Sequence, residues 1–321
     1  MKKCLIYALS VLAFQISFAQ DMVAQPSLKI ETNSVKKTIT FSAAELPSFK
    51  SGQDLKNNFQ IDFNRLEGTI NNTVSSSPYT TSLLKDGLAI GAAVGVTLLG
   101  YSLIANKDDL TMAELATKTK DKLPFFDRSS AGFYSPQADK DSYILFDASY
   151  AIPFIAALID KKQRSNYGQI AVLYIETIGI TGAMYTLTAG LVYRSRPFVY
   201  GTKAPLDKRL GKGGQRSFYG GHVATTAAST FFVAKVFHDF NPGSKLTPYL
   251  YVASGGLTAL MGYFRYRAGY HFLSDCVLSS VVGAATGILI PQLHKNKALS
   301  KLSIAPEVGN GSSGLAFTYR F

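Results

Sequence analysis

Residues 265–275 read Arg-Tyr-Arg-Ala-Gly-Tyr-His-Phe-Leu-Ser-Asp, and from Phe272 to Leu293 the chain turns apolar. An arginine thus stands six residues before a histidine, and an aspartate four residues after it. The spacing predicts His271 and Asp275 one turn apart on one face of a helix start. A carboxylate there is placed to fix the imidazole tautomer and raise its basicity. Arg265 supplies a fixed cation suited to an oxyanion such as phosphate. The same residues also read more plainly, as a helix N-terminus capped by Ser274 or Asp275 beside a chance histidine.

Two further segments bear on the choice. Tyr193-Arg194-Ser195-Arg196-Pro197 closes an apolar run, and Pro197 halts that helix with two arginines at its mouth. Ser217-Phe218-Tyr219-Gly220-Gly221-His222 precedes another apolar run. Two glycines there let backbone amides approach an anion at a helix start. The chain has four histidines, and two of them, His222 and His271, fall in these segments.

Together the three segments resemble the type 2 phosphatidic acid phosphatase superfamily, which includes bacterial acid phosphatases and vanadium haloperoxidases. The family pattern is Lys-x6-Arg-Pro, then Pro-Ser-Gly-His, then Ser-Arg-x5-His-x3-Asp. Arg196-Pro197, Gly221-His222 and the set Arg265, His271 and Asp275 match it in order and spacing, over roughly residues 85–295. Three positions depart from it: Ala189 stands for the lysine, Tyr219-Gly220 for Pro-Ser, and Phe264 for the serine. Arg194, Lys203, Lys212 and Arg216 are candidates to replace the missing charge.

The resemblance implies an all-α, six-helix phosphatase bundle. It further implies that His271 attacks phosphorus, Asp275 orients it, and His222 protonates the leaving oxygen and then activates water. Arg196, Arg265 and the Gly220 and Gly221 amides would hold the equatorial oxygens. No metal or other cofactor is expected. The implied activity is hydrolysis of a lipid or lipid-like phosphate ester. Its alternatives are a non-catalytic phosphate-binding envelope protein, which would explain the lost lysine and serine, and a vanadium-dependent haloperoxidase, against which the short chain and apolar helices argue.

Composition favours a membrane setting. Apolar residues make up 47% of the 321 and charged residues 17%, sparse for a soluble globule. A net charge of +12 suits anionic partners such as lipid headgroups. The basic residues gather in loops between apolar runs, which favours topology signals over nucleic-acid binding. Cys4 and Cys276 are too few and too differently placed for a disulfide framework.

Residues 1–20 read as a signal peptide cleaved near Ala19, and 21–84 as a polar extension. Residues 85–295 form the helical domain, and 296–321 a tail with a β-hairpin around Gly309-Asn310-Gly311. Apolar helices are expected at 87–105, 143–159, 170–193, 223–237, 248–263 and 272–293, several near membrane-spanning length. The basic residues at 161–164 and 294–301 place those loops in the cytoplasm and the motifs on the periplasmic face. Six crossings would then put 21–84 in the cytoplasm, in conflict with a cleaved signal, so an inner-membrane or a peripheral periplasmic bundle both fit.

Overall fold

The computed structural model describes residues 77–296 and the backbone of 302–309 and 312–319. The signal-peptide reading, nearly all of the N-terminal extension and the turn of the tail lie outside these residues.

The described part is mainly helical. Six helices have twenty residues or more: α1 Leu83–Ala105, α3 Pro136–Ile159, α5 Tyr167–Leu191, α7 Gly221–Phe240, α8 Thr247–Arg267 and α9 Leu273–Leu293. Three are short: α2 Met112–Ala116, α4 Lys161–Arg164 and α6 Leu206–Leu210. Strand β1 Leu302–Gly309 pairs antiparallel with β2 Ser312–Tyr319, with Leu302 opposite Tyr319 and Gly309 opposite Ser312.

Helices α1 and α3 begin several residues before their apolar runs. The Ser82 and Ser135 hydroxyls each accept an amide of the first turn, and Pro136 is preset for the first helical position. The first turn of α3, Pro136 to Asp139, is polar and carries no hydrophobic signal. Packing likewise starts before residue 85: Tyr79 is buried, and its hydroxyl donates to Asp239 at 2.8 Å.

Helix α7 is the centre, packed against α3, α5, α8 and α9, while α1 lies along α5. Leu173, Tyr174 and Ile178 of α5 meet Ala228, Phe232 and Val236 of α7 in the main core. Small residues set the α7–α9 distance. A Cβ on Gly283 would stand 2.1 Å from the Ala224 carbonyl oxygen, and one on Gly287 2.4 Å from that of Ala228. Close backbone contact of this kind replaces large side chains where helices pack within lipid.

Helices α1, α3, α5 and α9 are long and apolar enough to cross a membrane. The buried Lys235 of α7 forms an ion pair with Asp239 one turn on, and Lys295 donates to the same carboxylate at 2.7 Å. That charge is structural, satisfied within the fold.

Candidate active site

The site lies where α5, α7, α8 and α9 begin or end. The chain leaving α5 runs beside residues 214–217: the Arg196 amide donates to the Gly214 carbonyl at 2.7 Å and the Ser217 amide to the Arg194 carbonyl at 2.9 Å. This pairing fixes the first two motifs against each other. After α8, Gly269 takes φ +77°, and a Cβ there would meet the Phe133 carbonyl oxygen at 1.8 Å. Only glycine fits this reversal, which carries the chain from Arg265 to His271.

His271 is buried. Its Nδ1 lies 2.6 Å from the Ser217 carbonyl oxygen, so Nδ1 carries the proton and Nε2 keeps its lone pair. The expected orientation by Asp275 is not what the structure shows. Phe272, with ψ 166°, caps α9, so His271 precedes the helix and the one-turn spacing does not apply. Asp275 instead turns back to accept from the Phe272 amide at 3.0 Å, from the Ser217 hydroxyl at 2.6 Å, and from Arg194. Through Ser217, it acts on His271 at one remove.

Arg194 also holds Asp127 at 2.7 Å, and Ser274 donates to the same Asp127 oxygen at 2.7 Å. With two carboxylates in hand, Arg194 is a clamp and not a spare phosphate cation. Lys212 is also engaged, donating to the Ala105 carbonyl at 2.7 Å, and Lys203 is exposed.

Arg196 and Arg265 do converge. Their guanidinium carbons lie 4.5 Å and 4.2 Å from the Tyr270 ring centroid, and Lys208 of α6 lies 5.0 Å from it. Asp139 of α3 takes Arg265 at 2.6 Å and the Tyr270 hydroxyl at 3.1 Å. Burial and then the neighbouring charges of Arg216 and Arg265 lower the Arg196 pKa to about 10. Burial works against the charge of Lys208, but a hydrogen bond to Tyr270 and the charges of Tyr270, Tyr134 and Asp139 hold its pKa above the usual lysine value.

His222, the second residue of α7, stacks on Phe146 at 4.1 Å and meets the edge of Tyr143 at 5.0 Å. Its Nε2 is buried and makes no hydrogen bond among the described residues. Burial, then Arg265 and Arg196, hold its pKa well below the usual imidazole value. The same two arginines, after burial, lower that of His271. Both histidines therefore feel one cationic centre, and both rest neutral.

The two glycines are needed for space. A Cβ on Gly220 would crowd the Ser279 hydroxyl at 3.1 Å, and one on Gly221 would strike the Tyr185 ring at about 2.9 Å. The Gly220 amide, expected to hold an anion, donates to Ser279 at 2.7 Å instead. The helical bonds of α7 begin with the Ala224 amide on the Gly220 carbonyl, so the amides of its first turn have no acceptor within the helix.

Sequence reasoning missed Asp127, Asp139, Lys208, Ser217 and Tyr270. Asp139, Ser142, Tyr143 and Phe146 have helix-face spacing, and Ser142 joins Asp139 on Arg265 at 3.0 Å. That signal was present in the sequence, but nothing in it named the partner.

A helical core with two neutral histidines and a cluster of arginines invites comparison with known proteins. Residues 170–299 match the PAP2 superfamily. All three motifs lie inside the matched span, so the resemblance they carry is to this family. No curated protein matches the chain. Among solved structures the chain is similar to the crystal structure of the first transmembrane PAP2 type phosphatidylglycerolphosphate phosphatase from Bacillus subtilis, at 18% identity, covering 62% of this chain and 93% of that one with a TM-score of 0.39. It is also similar to the crystal structure of Aquifex aeolicus LpxE, at 20% identity, covering 54% of this chain and 98% of that one with a TM-score of 0.37.

Proposed function

We propose that this PAP2-type chain is a phosphatase acting on a membrane lipid phosphate or lipid-like phosphate ester. The observation that carries the reading is the state of His271: its Nδ1 proton is committed to the Ser217 carbonyl, and its Nε2 lone pair is left beside Arg196, Arg265 and the start of α7. In the proposed reaction Nε2 attacks phosphorus while the bond to the leaving oxygen breaks. Binding of a phosphate dianion offsets the arginine charges that depress His222, so His222 takes up a proton and delivers it to that oxygen. Water then attacks the phosphohistidine, gives its proton to His222, and releases inorganic phosphate. Arg196 and Arg265 hold the equatorial oxygens where charge accumulates, and Lys208 supplies the cation that Ala189 lacks. The apolar α1, α3, α5 and α9 favour a substrate reached from the bilayer, with the motif end on the periplasmic face by the distribution of basic loops.

The test is phosphate release from a panel of lipid and soluble esters by wild type and His271→Ala, with rapid denaturation during turnover. A phosphoramidate is lost in acid and survives alkali. Wild type should carry such label and His271→Ala none. Turnover that persists in His271→Ala removes the mechanism. Phosphate binding with neither turnover nor label on any ester marks a non-catalytic binding protein.

A further inference from the structure

Asp86 of α1, Glu176 of α5 and His294, the residue capping α9, converge with one ligand-type atom each, all within 4.8 Å of one another. The cluster is remote from the motifs: His271 precedes α9 and His294 follows it, and the 21 residues of that helix span about 30 Å. No part of the proposed reaction uses it.

Three features distinguish it from an ordinary buried ion pair. First, His294 Nδ1 lies 2.8 Å from the Ile290 carbonyl oxygen, which places a proton on Nδ1 and turns Nε2 toward the two carboxylates. Nε2 is the imidazole atom that meets the carboxylates, with Asp86 Oδ1 at the long end of hydrogen-bond range. Second, Nε2 is 3.3 Å from Asp86 Oδ1 and 3.3 Å from Glu176 Oε2. A charge-assisted N–H···O⁻ bond is shorter, about 2.7–2.9 Å. Ligand atoms about 2.0 Å from a tetrahedral zinc ion stand about 3.3 Å apart. Third, Glu176 is 5% exposed, and its Oε2, aimed into the cluster, makes no hydrogen bond among the described residues. The other Asp86 oxygen is held by the Ser82 amide at 2.8 Å, a support that orients a ligand from behind.

We infer that Asp86, Glu176 and His294 bind a divalent transition-metal ion, with one imidazole and two carboxylates as ligands and an open position for water. The imidazole favours Zn²⁺, and the two carboxylates admit Mn²⁺. Bridging α1, α5 and α9, the ion fastens the end of the bundle opposite the catalytic residues and takes no part in phosphoryl transfer.

The test uses tag-free full-length protein in detergent, stripped with a chelator and titrated with Zn²⁺ or Mn²⁺ by calorimetry, with the thermal midpoint followed in parallel. Wild type should bind one ion per chain, and its midpoint should rise as the ion binds. His294→Ala should weaken binding by more than about 100-fold. Glu176→Gln, which keeps the side-chain size, should weaken it and flatten the stability gain. His271→Ala should bind the ion as wild type does, which rules out capture by the catalytic histidines. Absence of saturable binding in wild type overturns the inference and leaves His294 as a charged partner of the two carboxylates. Affinity unchanged in both His294→Ala and Glu176→Gln also overturns it.

Discussion

At the scale of single residues, the proposed chemistry depends on histidines kept neutral by their surroundings. Burial together with Arg196 and Arg265 holds both His222 and His271 well below the usual imidazole range. In the unfolded chain each takes a proton near pH 6.5, while in the folded protein each does so only at lower pH. Below that pH the unfolded state binds more protons, so stability falls as the pH drops. Above pH 6.5 the contribution is flat. The thermal midpoint of substrate-free protein should therefore decline between pH 6.5 and 5, and His222→Gln should make that decline shallower. Lys208→Ala removes a cation without touching the histidines, so we expect KM to rise roughly tenfold, worth about 1.4 kcal/mol of phosphate binding, with kcat little changed. An equal loss in kcat would place Lys208 in the chemical step.

The motif residues were legible because their order and spacing are local facts of the chain. The contact between His271 and Asp275 was misread because a four-residue spacing implies adjacency only inside a helix, and α9 begins after His271. The true partner, the Ser217 carbonyl, is a backbone atom 54 positions away and leaves no trace in residue identity. Lys208 was overlooked for a related reason. It sits in a five-residue helix within a basic loop, where nothing local sets it apart from Lys203 or Lys212.

Among the elements, the seam between α7 and α9 carries the sharpest prediction. Gly283→Ala or Gly287→Ala places a methyl against a carbonyl oxygen of α7, and overpacking of this kind costs about 1–3 kcal/mol. The measurement is the thermal midpoint in detergent, against Gly255→Ala of α8, where a Cβ meets nothing within 4 Å. Because α9 begins beside His271, the seam variants should also lower activity at temperatures where the fold persists. The helices were readable from apolar runs, but the polar first turn of α3 was not. Helix α7, rich in Thr and Ala, is the central element because small buried residues admit four neighbours. Hydrophobicity alone ranks it below α5 and α9.

On the scale of the whole molecule, the site is assembled from segments that only tertiary structure brings together. Arg194 follows α5, Asp275 opens α9, and Asp127 belongs to the connection between α2 and α3, yet one guanidinium grips both carboxylates. That connection carries the 3₁₀ turns Lys120–Lys122 and Arg128–Ser130, far less regular structure than the bundle beneath it. Local opening is expected to begin where regular structure is thinnest. Release of Asp127 would free Arg194 and unsettle Asp275 and Ser217 while the six long helices stay folded. The chain should thus have two melting events of different cooperativity, the earlier one silent in far-ultraviolet circular dichroism. Amide hydrogens near residues 120–131 should exchange faster than those of α7, and mild heating should silence turnover before the helical signal falls. Asp127→Asn should widen the gap between the two temperatures, making residue 127 a thermal fuse for the site.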